Sequence, residues 1–212
     1  MTIREKRTAE NLLKIKAVFL RPNDPFTWAS GILSPIYCDN RMTLAYPEIR
    51  KQLEHDLADA VKEFYPECEV LMGTSTAGIP HAAIISEILN LPMGYVRAKD
   101  KDHGRQNRIE GAPVDGKKVV VIEDLISTGG SSIDTVIGLR EAGADVLGII
   151  SIYTYNMKKG IEKLKEANCE NYSLTNLDTL ADVAVELKYI TEKEKQMLLT
   201  FRDNPSDISW RN

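Results

Sequence analysis

The stretch VVVIEDLISTGGSS, residues 119–132, constrains the fold more than any other feature of this chain. Residues 119–122 are an uninterrupted apolar run, the pattern of a strand covered on both faces, as in a parallel sheet. Glu123 and Asp124 follow directly. Then comes a hydroxyl- and glycine-rich turn, Ser127-Thr128-Gly129-Gly130-Ser131, at the mouth of the helical pattern SSIDTVIGLREAG. In open parallel sheets ligands bind beyond the carboxyl ends of the strands, and residues 123–131 are expected there, between strand and helix. Gly129 and Gly130 let the backbone curl round an anion with its N–H groups inward. Thr128, Ser131 and Ser132 add hydroxyl donors, and the helix N-terminus adds partial positive charge. Two acids beside an anion cradle fit a ligand with two unlike ends. A ribose 5-phosphate has that layout, its diol facing Glu123 and Asp124 and its phosphate facing the turn.

The pattern around this stretch is one of alternation. CEVLMG, PMGYVR, KVVVIE and DVLGIISIYT read as strands, while AGIPHAAIISEIL and SSIDTVIGLREAG read as helices, the second closed by Gly143. Such alternation predicts an α/β fold, a mostly parallel central sheet flanked by helices. Upstream, residues 8–19 are expected to be helical, with Leu12, Leu13, Lys16 and Phe19 at turn spacing. An irregular, proline-rich segment follows. Pro47 can open a helix whose apolar face is Ile49, Leu53, Leu57, Ala60, Val61 and Phe64. Thr191 and Glu194 form a capping-box pattern for a last helix, and the closing NPSDISWRN reads as loop. Residues 98–116 are long, polar and poor in apolar side chains, which marks a segment either functional or disordered. One domain is expected. It comprises an N-terminal segment 1–45, an α/β core 46–175 with a mobile loop 98–116, and C-terminal helices 176–212.

Bulk properties exclude more than they assign. A length of 212 residues suits one domain with a real core. The net charge of −4 gives no global reason to expect nucleic acid or an anionic membrane as partner, so any anion site is local. No apolar run approaches the ~20 residues that cross a bilayer, and the charged N-terminus lacks the apolar core of a signal peptide. Cys38, Cys68 and Cys169 are odd in number, widely spaced and without a Cys-x-x-Cys pair. Reduced thiols and a cytoplasmic location are the expectation.

VVVIEDLISTGGS resembles the phosphoribosyl diphosphate (PRPP) motif of type I phosphoribosyltransferases; the nucleotide loops Gly-x-x-x-x-Gly-Lys and Gly-x-Gly-x-x-Gly are both absent. FTWASGILSPIYCDNR (26–41) resembles the base-side segment of orotate phosphoribosyltransferases. YVRAKDKDHGRQNRIEG (95–111) is similar to that family's catalytic loop, and GTSTAGIPHAA (73–83) completes the order of motifs. The resemblance spans most of residues 10–165. It implies transfer of a 5-phosphoribosyl group from PRPP to orotate, with Mg²⁺ bound mainly through PRPP and water and no direct protein ligand. It also implies a homodimer whose loop 98–108 reaches the neighbouring site.

By the same resemblance Lys101, His103 and Asp124 are the catalytic candidates. PRPP is expected at Arg97, Lys101, His103, Glu123, Asp124, Leu125, Ile126, Ser127, Thr128, Gly129, Gly130 and Ser131. Orotate is expected at Ser127, Tyr37, Ser30 and Gly31. Tyr37 reads either as a base-stacking ring or as core, and the turn 73–78 either as a source of diphosphate-binding N–H groups or as a plain strand–helix turn. His55 and His81, within helical patterns, read as structural. The chain departs from the family at Ala29, Ala77 and Ala98, where many members carry Lys, and at Tyr155-Asn156, where many carry Asp-Arg. The orotate carboxylate then needs backbone N–H groups near Ser30-Gly31 or a different cation. The rival readings are a purine-specific phosphoribosyltransferase and a PRPP-sensing regulator of nucleic acid.

Overall fold

The computed structural model describes residues 1–28, 31–98 and 108–211; Ser30, Lys101 and His103 therefore lie outside the described residues. In chain order the sheet strands are β5 (Val70–Thr74), β6 (Met93–Val96), β7 (Ile109–Gly111), β8 (Lys118–Ile126), β9 (Asp145–Thr154) and β10 (Asn171–Asn176). They pair in the order β10-β9-β8-β5-β6-β7, all parallel except β7, which runs antiparallel to β6. This is the α/β architecture the alternation predicts.

β8 sits at the centre and shows why its apolar run is continuous. Val120 and Ile122 belong to one core, Val119 and Val121 to the other. Both faces of the strand are buried, so no position in 119–122 tolerates a polar side chain. One face is covered by α1 (Ile3–Lys14), α2 (Pro47–Phe64), α3 (Gly78–Leu89), α6 (Leu177–Glu186) and α7 (Glu192–Asp203). On the other lie α4 (Gly130–Glu141) and α5 (Lys158–Glu166). Gly78 permits the closest approach of the first layer, since a Cβ there would stand 2.3 Å from the Ile122 carbonyl oxygen.

Before the sheet come four short strands. β1 (Val18–Leu20) pairs antiparallel with β4 (Ile36–Cys38), and β2 (Phe26–Thr27) with β3 (Leu33–Ser34). Two hydrogen bonds close the β2–β3 hairpin, Trp28 N–H to the Ile32 carbonyl at 2.9 Å and Gly31 N–H to the Trp28 carbonyl at 2.8 Å. Gly31 takes φ +82°, a left-handed value that suits glycine.

Several sequence expectations need correcting. The first helix spans Ile3–Lys14, not 8–19, because Thr2 and Glu5 form a capping box that starts it early; Phe19 belongs to β1. β8 runs three residues past the KVVVIE read as strand, so Asp124 as well as Glu123 is a strand residue. Within 98–116, β7 is ordered strand, and Arg108 is buried with its guanidinium 2.7 Å from Asp134. The closing segment is no loop: Ile208–Arg211 is a 3-10 turn that buries Trp210. Helix α2 starts at Pro47 as expected, though Phe64 leaves its apolar face and stacks on Tyr172, ring centroids 3.9 Å apart. Among the described residues no helix is long and apolar enough to cross a membrane.

Candidate active site

The turn after β8 is shaped as an anion cradle. Gly129 takes φ +71°, and α4 begins at Gly130 with no side chain capping it. The N–H groups of its first turn are thus left to an external acceptor, where the helix dipole favours negative charge. A Cβ at Gly130 would meet nothing within 4 Å, so the approach is open. Behind the turn, α5 presses close: a Cβ on Gly160 would stand 2.5 Å from the Ser127 carbonyl oxygen. Glycine at 160 is therefore part of how the cradle is held, although it lies far from the motif in sequence.

Glu123 and Asp124 differ in surroundings. Glu123 is only 4% exposed; its carboxylate accepts from Ser132 Oγ at 2.7 Å and from Asp124 N–H at 3.1 Å. The Ser132 hydroxyl is thereby turned into the strand and is not one of the cradle's donors. Burial, then the neighbouring Asp124 charge, push the Glu123 carboxyl up to about 8. Asp124 is half-buried, and its carbonyl accepts from Asn40 Nδ2 at 2.6 Å. Burial raises its carboxyl too, opposed by a hydrogen bond to Glu123 and by the charges of His81 and Arg41. Burial thus disfavours ionisation of both carboxyls together. His81 is buried, its Nδ1 2.6 Å from Glu54 Oε1, which fits its reading as structural; His55 is exposed on α2.

Beside the cradle opens a cleft of about 620 Å³. Its walls come from the N-terminal strands (Phe19, Phe26, Trp28, Tyr37) and from the ends of β8 and β9 (Leu125, Ser127, Tyr155). Ser127 belongs to both cleft and cradle. Tyr37 is not core: it is 40% exposed, 5.7 Å from the Phe26 ring. Trp28 stands edge-on to Tyr155 at 5.9 Å and to Phe201 of α7 at 5.7 Å, so a helix near the chain's end supports the cleft from behind. Cys38 also lines it, with its thiol pushed well up by burial and so held as a neutral thiol.

The structure brings together Tyr37, Glu123, Asp124, Leu125, Ser127, Thr128, Gly129, Gly130 and Ser131. Ile126 joins only through its backbone, since its side chain is 1% exposed in the core. Gly31 N–H is engaged with Trp28, which removes one of the two groups expected to meet a base carboxylate. In the turn 73–78, Ser75 N–H donates to the Val96 carbonyl at 3.2 Å and so does not face a ligand. Arg97 stands at the foot of the 98–108 segment, its N–H on the Arg108 carbonyl at 2.9 Å and its Nε 3.4 Å from Glu110. Phe19 and Gly160 are brought in by tertiary contact alone and carry no local signal, whereas Trp28 and Asn40 lie within the base-side segment 26–41 without a role of their own being legible there.

Comparison with known proteins agrees with this geometry. A family model described as a phosphoribosyl transferase domain matches residues 44–187. The orotate phosphoribosyltransferase of Staphylococcus saprophyticus is 57% identical over 201 residues, covering 95% of this chain and 99% of its relative. That of Listeria innocua is 56% identical, covering 95% and 96%. Among solved structures, the orotate phosphoribosyltransferase of Aeropyrum pernix superposes with a TM-score of 0.74 at 27% identity, covering 86% of this chain and 98% of that one.

Proposed function

From the premise that this chain belongs to the phosphoribosyl transferase family, in its orotate phosphoribosyltransferase branch, we propose how its residues divide the work. The chain transfers the 5-phosphoribosyl group of PRPP to orotate, giving orotidine 5'-monophosphate and diphosphate, a step in pyrimidine biosynthesis.

The 5'-phosphate sits in the turn of Ser127 to Ser131 at the start of α4. The ribose diol faces Asp124 and Glu123, and the base enters the aromatic cleft against Tyr37. Sharing of Ser127 between cleft and cradle supports this reading, because a flat ring and a phosphate at the two ends of one sugar need two adjoining sites. With the glycosidic carbon held between them, the reacting atoms meet in one orientation, and the aromatic walls keep water from the ribosyl cation that develops as diphosphate departs. Lys101 and His103, with Arg97 at the loop's foot, neutralise the departing diphosphate. The residues present fit Mg²⁺ held through the substrate and water: two adjacent carboxyl groups, raised by burial, gain from a nearby cation. When bound, the ion neutralises diphosphate charge.

The protein acts as a cytoplasmic homodimer, each protomer's basic loop reaching its neighbour's site. Residues 1–45 form a hood over the core of 46–175, and 176–212 brace it. Diphosphate release from PRPP, measured with orotate, adenine and xanthine in turn, tests the base assignment. Orotate is expected to be fastest; a purine outpacing it would replace the assignment, and salt-dependent nucleic-acid binding without turnover would favour a regulator.

A further inference from the structure

We propose that Arg21 is the residue that holds the carboxylate of orotate. The inference rests on the activity given above and concerns only which side chain reads the base. A ring with a fixed negative charge that enters an aromatic cleft leaves water behind, and an unpaired carboxylate there is strongly disfavoured. A cation or a set of N–H donors has to meet it, and a cation does so most strongly.

Among the described residues lining the cleft, Arg21 is the one charged side chain. Its place is set by the chain: its N–H donates to the Pro35 carbonyl at 2.7 Å, which continues the β1–β4 pairing by one residue. Its guanidinium stands 5.0 Å from the centre of the Phe26 ring, and Phe26 stands 5.7 Å from Tyr37. A pyrimidine lying along that wall reaches Arg21 at its edge. The planar fork of a guanidinium matches a carboxylate with two parallel hydrogen bonds. Arg21 is also ready to exchange partners. Its acidic neighbour Asp24 is 3.8 Å away with a side chain 90% exposed, a contact too long and too wet to hold it.

Among the described residues the other candidates are engaged or replaced. Arg41 forks onto Asp39 at 2.6 and 2.8 Å. Positions 29, 77 and 156 are Ala, Ala and Asn. Gly31 N–H is engaged with the Trp28 carbonyl.

The test uses Arg21→Gln and Arg21→Lys in the full chain, with orotate and PRPP varied independently and uracil, which lacks the carboxylate, as a competing ligand. Arg21→Gln should raise KM for orotate by roughly 10- to 100-fold. KM for PRPP and the inhibition constant of uracil should stay within about twofold of wild type. Arg21→Lys should recover part of the loss, since charge remains and the fork does not. If Arg21→Gln leaves KM for orotate unchanged, or weakens uracil as much as orotate, Arg21 does not read the carboxylate, while the activity stands. Failure of the wild-type protein to turn over orotate would instead remove the activity itself. The two failures are therefore distinct.

Discussion

Glu123 answers the question its position raises, namely how acids sit beside an anion site. Buried against Ser132 and next to Asp124, its carboxyl is pushed up to about 8, so at neutral pH the entrance is less negative than its sequence implies. An acid whose folded-state pKa is raised stabilises the fold at low pH and loses that contribution as pH rises from its unfolded value, near 4.5, through about 8. The melting temperature of the wild type relative to Glu123→Gln should therefore fall as pH climbs from about 5 to about 8. Thermal melts of both proteins across that range check this; a constant difference would mean Glu123 is ionised throughout. The acids and the glycine turn are legible in the sequence because neighbouring residues build them. Arg21 is not, because only the β1–β4 pairing carries it to the same cleft as Ser127, more than a hundred positions away. Ser132 is visible but misleading, since its hydroxyl direction depends on how far β8 extends.

At the level of elements, the sheet was readable wherever strands are apolar or helices amphipathic. β8 reads as a doubly covered strand from its four apolar residues, yet its extension to Ile126 does not, because polar residues at a strand's end look like loop. β10, with the sequence NYSLTN, and the short edge strand β7 leave equally little periodicity to detect. Two capping boxes of the same chemistry fared differently. Thr191 with Glu194 stands before a clear helix, whereas Thr2 with Glu5 lies in a charged stretch that hides it. Gly160 makes a sharper case. Helix propensity alone would have Gly160→Ala stabilise α5 by up to about 1 kcal/mol. The Cβ placed 2.5 Å from the Ser127 carbonyl instead predicts a loss of about 1–3 kcal/mol, with weaker PRPP binding because the cradle shifts. Denaturant unfolding and PRPP titration of the variant decide the sign.

For the whole molecule, the proposed exchange of basic loops between protomers has a consequence that neither protomer shows alone. Lys101→Ala and Asp124→Asn should each be nearly inactive. Co-expressed, they should recover about one quarter of wild-type activity, since half the dimers are mixed and each mixed dimer holds one intact site. No recovery in a sample shown to contain mixed dimers would place each loop over its own protomer's site. Sequence alone could name the loop residues but not the pairing of β6 with β7 that roots both loop ends at one sheet edge.

The aromatic line behind the cleft reaches further than packing. It runs from Tyr155 through Trp28 and Phe201 to Trp210, and the chain has two tryptophans in all, one at the cleft wall and one deep in the last turn. The protein thus carries a native fluorophore where the pyrimidine would lodge and a second, shielded one as its internal reference.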